Sequence, residues 1–295
     1  MIDRHFISAQ IPQDQLFQRC PLGCKAELQI SAINLAEGPL LRCPSCEQLL
    51  SSCTYEQHQR ALSMWDTPNG TQPIRRSVSR YRHVIERRLR HALKLLGPRS
   101  TPPRLLDVGC SSGSLLEVAS NLGFSVAGVE KASKAAQTAQ LAGFEVFAGL
   151  LNEACFPDMA FDVITLFEVV EHVSDPLDLL IECRRILKPA GTLVINTPNA
   201  DSWTARFMGE RWENFNLTIK GGHVSFFSPS SIRVLARASG LAVVRIETRN
   251  VCFYEKGQCH PVGYRIAKIA AELLALPTRL VGQGHDLLVF LRRVK

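Results

Sequence analysis

From residue 104 onward, short apolar runs alternate with segments of helical periodicity, and this alternation is the feature that most constrains the fold. We place candidate strands at Arg104–Val108, Ser125–Val129, Glu145–Ala148, Asp162–Leu166, Thr192–Asn196, Ala242–Glu247 and Asp286–Leu291. Candidate helices separate the first six of these runs, near Ser114–Leu122, Ser133–Ala142, Pro176–Leu187 and Pro229–Ala238. This alternation predicts an α/β fold, a doubly wound and mostly parallel sheet with helices on both faces.

The turn after the first strand carries a ligand-binding motif. It reads Asp107-x-Gly109-x-x-x-Gly113, and glycines at such a turn let the backbone approach a ligand closely. A pyrophosphate cradle would need G-x-G-x-x-G, but Ser111 stands where the second glycine would fall. The second strand ends at Glu130, 23 residues after Asp107, where a carboxylate can accept both hydroxyls of a ribose. The two acids and the glycine turn together predict a nucleoside site.

Residues 104–247 resemble the class I S-adenosylmethionine-dependent methyltransferases, which have a Rossmann-like fold. The matching segments are 105–113 (LLDVGCSSG), 128–130 (GVE), 161–165 (FDVIT), 168–173 (EVVEHV), 187–193 (LKPAGTL) and 197–199 (TPN). The resemblance implies that the turn glycines pack against the methionine part of S-adenosylmethionine and that Glu130 binds its ribose. It also implies a seven-stranded sheet whose last strand, Asp286–Leu291, inserts antiparallel.

The resemblance carries a set of cofactor-binding residues onto this chain. They are Asp107, Gly109, Cys110, Ser111, Gly113, Glu130, Asn152, Phe167 and Glu168. One departure concerns the adenine, because the acid that often follows the third strand is replaced here by Gly149-Leu-Leu-Asn152. We therefore expect backbone groups and apolar contacts to recognise the adenine, with Asn152 as the polar candidate.

Candidate catalytic residues follow the fourth strand. Glu168, Glu171 and His172 share one helical face through their i, i+3 and i+4 spacing, and His223 precedes the next helix. This pattern resembles the small-RNA terminal 2′-O-methyltransferases and, less closely, the ubiquinone-pathway O-methyltransferases, which implies a magnesium-type ion that holds the accepting hydroxyls. Two other hypotheses stay open: His223 or His172 acts as a general base, or both only orient loops.

Two short cysteine motifs lie near the N-terminus. Cys20-Pro-Leu-Gly-Cys24 and Cys43-Pro-Ser-Cys46 are separated by 18 residues, a spacing typical of a structural zinc site with four thiolate ligands. Free reduced thiols are the alternative, and Cys53 and His58 are spare ligands. A closed site with four thiolates has no open coordination position, so we expect it to be non-catalytic. We assign residues 1–65 to a zinc-ribbon-like segment.

A basic segment connects the two parts. Residues 66–103 comprise a turn-rich linker and a predicted amphipathic helix over Arg75–Leu96. We expect one face of that helix to expose Arg80, Arg87, Arg88 and Arg90. Residues 1–104 hold 15 Lys and Arg against 8 Asp and Glu, which accounts for the whole net charge of +7. The asymmetry favours either a solvated helix face or an acidic partner such as RNA.

Residues 104–295 form the predicted methyltransferase domain, which carries two further segments. Residues 199–228 are a candidate lid or acceptor pocket; the alternative is that their aromatic side chains pin a long connection to the sheet. Those aromatics are Trp203, Phe207, Trp212 and Phe215. Residues 251–283 are a candidate helical insertion, whose apolar face could dock on the domain, line the acceptor pocket or contact a second copy.

These features favour an enzyme that O-methylates a small molecule, such as a sugar or a secondary metabolite. The alternatives are a terminal 2′-O RNA methyltransferase and a cofactor-binding scaffold without turnover. Residues 1–10 lack an apolar signal region and no apolar run reaches the length of a membrane span. We therefore expect a cytoplasmic protein without a membrane partner. The sequence leaves the oligomeric state open.

Overall fold

The computed structural model describes residues 6–8, 11–66, 74–251 and 260–294. The linker residues 67–73 and residues 252–259 of the predicted insertion lie outside the described ranges, as does the side chain of Arg80. The strands are β1 (Phe6–Ser8), β2 (Gln29–Leu35), β3 (Gly38–Arg42), β4 (Leu49–Leu50), β5 (Arg104–Val108), β6 (Ser125–Glu130), β7 (Glu145–Ala148), β8 (Phe161–Phe167), β9 (Leu187–Pro198), β10 (Ser225–Phe226), β11 (Leu241–Arg249) and β12 (Asp286–Arg293). The α-helices are α1 (Tyr55–Leu62), α2 (Ile74–Leu96), α3 (Ser114–Asn121), α4 (Ser133–Leu141), α5 (Pro176–Ile186), α6 (Trp203–Met208), α7 (Pro229–Ala238) and α8 (Pro261–Leu280).

A seven-stranded sheet with the order β11-β12-β9-β8-β5-β6-β7 forms the centre of the protein. β5 pairs in parallel with β6 and β8, and the parallel pairing continues to β7 on one side and β9 on the other. β12 runs antiparallel to both β9 and β11. The predicted Rossmann-like sheet with an antiparallel last strand is confirmed, and the strand order reverses at β5, where ligands of such sheets bind.

Local sequence signals set the helices that surround the site. Asp175 caps α5 by accepting a hydrogen bond from the backbone N–H of Asp178 at 2.9 Å, and Pro176 occupies the first helical turn. Ser228 and Pro229 do the same for α7. α3 instead begins at Gly113 in a left-handed conformation, with φ of 91°. The two capped starts hold the loops that precede them, whereas α3 begins without a side-chain cap.

Helix α2 belongs to the methyltransferase core. Leu89 and Ala92 are fully buried and pack in one cluster with Leu116 of α3 and Val194 of β9. Arg87 and Arg90 are exposed as expected. The expected exposure of Arg88 is wrong, because this side chain is half-buried and turns toward the sheet.

The N-terminal segment joins the methyltransferase part through a shared sheet. Strands β1 to β4 form an antiparallel sheet that β10 extends, with Ser225 opposite Leu50. Trp212 and Phe215, from the candidate lid, are buried beside Leu40 of β3. This packing supports the alternative hypothesis for residues 199–228, that their aromatics anchor the connection. Phe207 is the exception, being exposed.

No described helix combines the length and the apolarity that crossing a bilayer requires. α8 is the helix of the predicted 251–283 insertion, and it packs against β11 at the edge of the central sheet.

Candidate active site

The glycine turn lies at the carboxyl end of β5 and has no room for a side chain. Gly109 has φ of 75°, and a Cβ atom there would lie 2.6 Å from Cγ2 of Val169. The backbone N–H groups of Gly109 and Cys110 both donate to the carbonyl of Val129, at 2.8 and 3.1 Å. Ser111 adopts a left-handed φ of 47°, a conformation that costs a non-glycine residue free energy and is found at functional sites. The turn is therefore hydrogen-bonded to β6 at Gly109 and Cys110, and its backbone strain lies at Ser111.

Glu130 stands beside this turn at the end of β6. Its Oε2 accepts a hydrogen bond from the backbone N–H of Ser111 at 2.8 Å, and its Oε1 accepts one from Ala132 at 2.7 Å. Each carboxylate oxygen has a second lone pair, so both can also accept a ribose hydroxyl. Burial raises the pKa of Glu130, and the two backbone donors oppose that shift.

Asp107 lies beneath the turn rather than on its surface. Its side chain is buried, and its Oδ1 accepts a hydrogen bond from the hydroxyl of Thr165 at 2.6 Å. Burial raises the pKa of Asp107 to about 7. The thiol of Cys110 is also buried and faces Gly128. Any contact of Cys110 with a cofactor would therefore be made by its backbone.

Phe167 and Asn152, both expected to bind the cofactor, lie at the end of β8 and after β7, two strands that β5 and β6 separate in the sheet. Phe167 is the last residue of β8 and is half-buried, whereas Asn152 is exposed in the 3-10 turn after β7.

Arg88 is a site residue that the sequence analysis missed. Its guanidinium carbon lies 5.2 Å from the centre of the Phe167 ring. Burial lowers the pKa of Arg88, and the nearby carboxylates of Asp286 and Glu168 partly oppose this effect. The sequence did contain a signal for this inward orientation. Arg88 follows Ile85 by three residues and precedes Ala92 by four, so all three lie on one face of the helix.

Three predicted catalytic residues converge: Glu171, His172 and His223. One ligand atom from each lies within 4.8 Å of the other two. Oε2 of Glu171 accepts a hydrogen bond from the hydroxyl of Thr197 at 2.9 Å. Oε1 is buried without a hydrogen-bond partner among the described residues and lies 3.9 Å from Nε2 of His223. The trio thus brings a carboxylate oxygen with an unused lone pair to two imidazoles.

Both histidines of the trio are held in the neutral state. Nδ1 of His172 lies 3.1 Å from the carbonyl oxygen of Gly221 and donates to it, which leaves the lone pair on Nε2. Burial lowers the pKa of His172 to about 4 and puts that of His223 well below its usual value. The two rings lie 4.5 Å apart, centre to centre, at an angle of 75°. Neutral imidazoles suit metal ligation.

Glu168 borders the trio but has its own partner. Its φ of 57° is left-handed, its backbone N–H donates to the carbonyl of Asn196 at 2.8 Å, and its Oε1 accepts from the side-chain amide of Asn196 at 2.6 Å. The residue is exposed to solvent, although protein atoms crowd its carboxylate. The surrounding protein raises the pKa of Glu168 to about 7, through desolvation first and repulsion from Asp286 second.

The N-terminal segment reaches this trio. Nε2 of His58 lies 2.9 Å from the carbonyl oxygen of His172. Nε1 of Trp65 donates to the carbonyl of Gly221 at 2.9 Å, and its ring lies edge-on to His172 at 6.0 Å. His58 is thus turned toward the candidate active site and away from a role as a spare zinc ligand. Sequence patterns could not reveal these contacts, because they join distant segments.

The four predicted zinc ligands also converge. The sulfur atoms of Cys20, Cys24, Cys43 and Cys46 all lie within 4.8 Å of one another, and those of Cys20 and Cys46 are 3.5 Å apart. Tetrahedral ligands with bonds of about 2.3 Å would be separated by about 3.8 Å. A hydrogen bond from Cys46 lowers the pKa of Cys20 to about 5. Cys53 is buried outside this cluster.

Comparison with known proteins decides the family. The pattern of a family described as a methyltransferase domain matches residues 81–246. The chain belongs to this methyltransferase family. By family it is an S-adenosylmethionine-dependent methyltransferase.

Curated relatives match the methyltransferase part. The chain is 37% identical over 150 residues to a ubiquinone biosynthesis O-methyltransferase of Cereibacter sphaeroides, covering 47% of this chain and 60% of the relative. It is 31% identical over 150 residues to the enzyme of the same description from Thiobacillus denitrificans, covering 47% of this chain and 64% of the relative. The chain therefore spans less than two thirds of these relatives.

Solved structures share the fold. A SAM-dependent methyltransferase from Archaeoglobus fulgidus superposes with a TM-score of 0.52 at 21% identity, covering 72% of this chain and 94% of that one. A possible histamine N-methyltransferase from Thermotoga maritima gives 0.51 at 19% identity, covering 79% and 100%. At these identities the likeness concerns the fold.

Proposed function

We propose that this methyltransferase O-methylates a small molecule whose hydroxyl is presented at a divalent-metal site formed by Glu171, His172 and His223. The convergence of these three residues carries the proposal. The relatives described as ubiquinone biosynthesis O-methyltransferases support a small-molecule acceptor, because their descriptions name methyl transfer to an oxygen in the biosynthesis of a small molecule. A sugar or a secondary metabolite with neighbouring hydroxyls is the acceptor class that this site would suit.

The residues at the end of β5 and β6 fit S-adenosylmethionine. The turn at Gly109 has a backbone conformation and a close contact with Val169 that only glycine allows, and Glu130 offers two carboxylate oxygens to a ribose. Arg88 supplies a cation near Phe167 for the carboxylate of the methionine part. The bound cofactor supplies an electrophilic methyl group, and this chain orients that group and excludes water around it.

The trio fits a divalent cation better than a histidine base. Glu171 offers an oxygen without a partner among the described residues, and both imidazoles are neutral at pH 7. A base whose pKa is about 4 accepts a proton poorly at neutral pH. A bound cation would hold the accepting hydroxyl and lower its pKa.

Glu168 is suited to receive the proton of that hydroxyl. Its carboxylate borders the trio, belongs to an exposed residue and has a pKa of about 7, near the pH at which the enzyme would work. The side-chain amide of Asn196 donates to one of its oxygens and orients the carboxylate.

A structural zinc at Cys20, Cys24, Cys43 and Cys46 is part of the same proposal. The zinc would stabilise the sheet that β10 extends, and β10 follows His223 closely in the chain. The N-terminal segment would then hold one wall of the acceptor site.

The proposal is tested with purified enzyme, labelled S-adenosylmethionine and a panel of vicinal diols and catechols. We expect methyl transfer that is lost on chelation, restored by Mg²⁺ or Mn²⁺, and abolished in Glu171→Gln and His223→Ala, with His83→Ala on the surface of α2 as the matched control. Full activity after chelation would rule out the metal, and activity on RNA alone would rule out the small-molecule acceptor. Absence of S-adenosylhomocysteine binding by calorimetry would contradict the cofactor site itself.

A further inference from the structure

Helix α8 presents its large apolar residues to solvent and its small residues to the protein. Ala271 and Thr278 face the domain and are buried. The exposed residues recur at three- and four-residue spacing; they are Ile266 (63%), Ile269 (59%), Leu273 (74%), Leu276 (64%) and Leu280 (78%). They form one stripe about 21 Å long at 1.5 Å per residue. A helix normally turns such a stripe toward a core, so the stripe is suited to a partner outside this chain.

Basic side chains border this stripe. Arg265 and Arg279 are exposed along one flank of it, with Glu272 between them. Burial lowers the pKa of Arg87 on α2, and the charges of Arg249 on β11 and Arg279 on α8 lower it further, so Arg87 lies within electrostatic range of both. α2 adds a groove lined by His83, Glu86, Arg87, Arg90, His91 and Lys94. The stripe therefore adjoins a surface with an excess of positive charge.

Two acidic groups on this surface, Glu247 and Glu86, are engaged with cations. Glu247 forms ion pairs with Arg245 and Arg249, and Glu86 pairs with Arg82. Arg279, Arg90 and Lys94 remain exposed beyond these pairs. The excess of positive charge on this side is thus carried by α2 and α8 together.

The charges indicate which partner covers the stripe. If two copies packed stripe to stripe in an antiparallel pair, Arg265 would face Arg279 of the second copy and the two Glu272 residues would meet, and like charges at such positions repel. An RNA would satisfy the arginines, but Ile and Leu offer no aromatic face for a base to stack on. A bilayer with anionic headgroups suits both the apolar stripe and the arginines. The boundary of its acyl chains takes up apolar side chains, and its phosphates attract arginine.

We propose that α8 is an interfacial helix that docks this enzyme on the surface of an anionic lipid bilayer. The stripe enters the boundary between headgroups and acyl chains, and Arg265, Arg279 and Arg87 contact the lipid phosphates. The inference is independent of the proposed acceptor. The proposal replaces the expectation, drawn from the sequence, that the protein has no membrane partner. It involves no membrane-spanning helix.

Vesicle flotation of the full-length protein tests the proposal. We expect binding to vesicles of phosphatidylcholine mixed with phosphatidylglycerol, at least about tenfold weaker binding to phosphatidylcholine alone, and weaker binding as salt rises. The double variant Ile269→Glu/Leu276→Glu should lose at least about tenfold in partitioning, because burying each side chain is favourable and burying a carboxylate is not. Leu141→Glu is the control, since this exposed leucine ends α4 at the opposite edge of the sheet.

A second pair of substitutions keeps the test independent of folding. Arg265→Gln/Arg279→Gln leaves the stripe intact and should weaken binding to the anionic vesicles alone. Unchanged affinity for S-adenosylhomocysteine confirms that each variant is folded. Equal vesicle binding by all variants would overturn the proposal. So would a lipid-free dimer that Ile269→Glu/Leu276→Glu dissociates, which would assign the stripe to a second copy.

Discussion

Nε2 of His58 lies 2.9 Å from the backbone carbonyl oxygen of His172, across 114 residues of sequence. His58 is on α1 in the N-terminal segment, and His172 belongs to the candidate metal site. A few residues away, Trp65 donates a hydrogen bond to the carbonyl of Gly221, which also receives Nδ1–H of His172. The N-terminal segment therefore contacts the loop that carries Glu171 and His172 and also the loop that carries His223. It is a positioning element for the site, and its folding is coupled to the chemistry proposed there.

Replacing Trp65 tests this coupling. Trp65→Phe keeps an aromatic ring beside His172 but removes the hydrogen bond to Gly221. We expect kcat to fall about fivefold, since a hydrogen bond contributes about 1 kcal/mol, while affinity for S-adenosylhomocysteine stays the same. Steady-state kinetics and calorimetry measure the two effects. Tyr55→Phe, on the exposed side of α1, should change neither. An equal loss of cofactor affinity in Trp65→Phe would mean a general loss of structure.

Zinc removal should act on both stability and activity. We expect about one zinc per chain by elemental analysis, and Cys43→Ser should lose it. Because β4 pairs with β10 next to His223, the variant should unfold at a lower temperature and lose methyl transfer. Cys53→Ser is the matched control, since Cys53 is buried outside the cluster. A metal-free Cys43→Ser protein with full stability and activity would contradict the structural role.

Gly109→Ala should impair cofactor binding. Gly109 has φ of 75° and an alanine Cβ would meet Val169 at 2.6 Å, so the turn would have to shift at a cost of about 1–3 kcal/mol. We expect affinity for S-adenosylhomocysteine to fall by about tenfold or more, since about 1.4 kcal/mol corresponds to tenfold. Gly123→Ala separates backbone strain from this clash, because Gly123 has φ of 88° but open space around its Cβ position. It should be destabilised with normal cofactor affinity.

Arg88 and its neighbour Arg87 offer an adjacent pair of variants. Arg88→Gln removes the guanidinium beside Phe167, whereas Arg87 is exposed. We expect Arg88→Gln to weaken S-adenosylhomocysteine binding by about tenfold, because a charge-assisted hydrogen bond to its carboxylate contributes about 1.5–3 kcal/mol. Methylthioadenosine lacks that carboxylate, so calorimetry should show its affinity unchanged. Arg87→Gln should bind both ligands normally. Equal losses for both ligands in Arg88→Gln would refute the assigned contact.

The buried Asp107 makes stability depend on pH. Its pKa is raised from 3.8 to about 7 in the folded protein. Between about pH 4 and pH 7 the folded state therefore holds more protons than the unfolded state, and stability falls as pH rises. Asp107→Asn cannot lose a proton, so its stability relative to the wild type should rise between pH 5 and pH 8, by on the order of 2–3 kcal/mol for the roughly two pKa units between pH 5 and pH 7. Denaturant unfolding at both pH values measures this, and parallel curves would contradict it.

Much of the fold could be predicted from the sequence because its signals are local. The strand–helix alternation, the cap at Asp175 and the glycine turn each depend on residues within one element or one loop. The cysteine motifs were informative for the same reason. Glu130 was recognisable because parallel strands bring their carboxyl ends to one edge, so its place at the end of β6 puts it beside the Gly109 turn.

The sequence by itself determined the Rossmann-like sheet, the family and the candidate ligands at both proposed metal sites. The tertiary structure decided how the N-terminal segment joins the active-site wall, the inward turn of Arg88 and the outward stripe of α8. The physical reason is that these features depend on which surfaces pack together across distant parts of the chain. Hydrophobic periodicity shows that α8 has an apolar face, but only the packing of Ala271 against the domain shows that the large side chains lie on the other side.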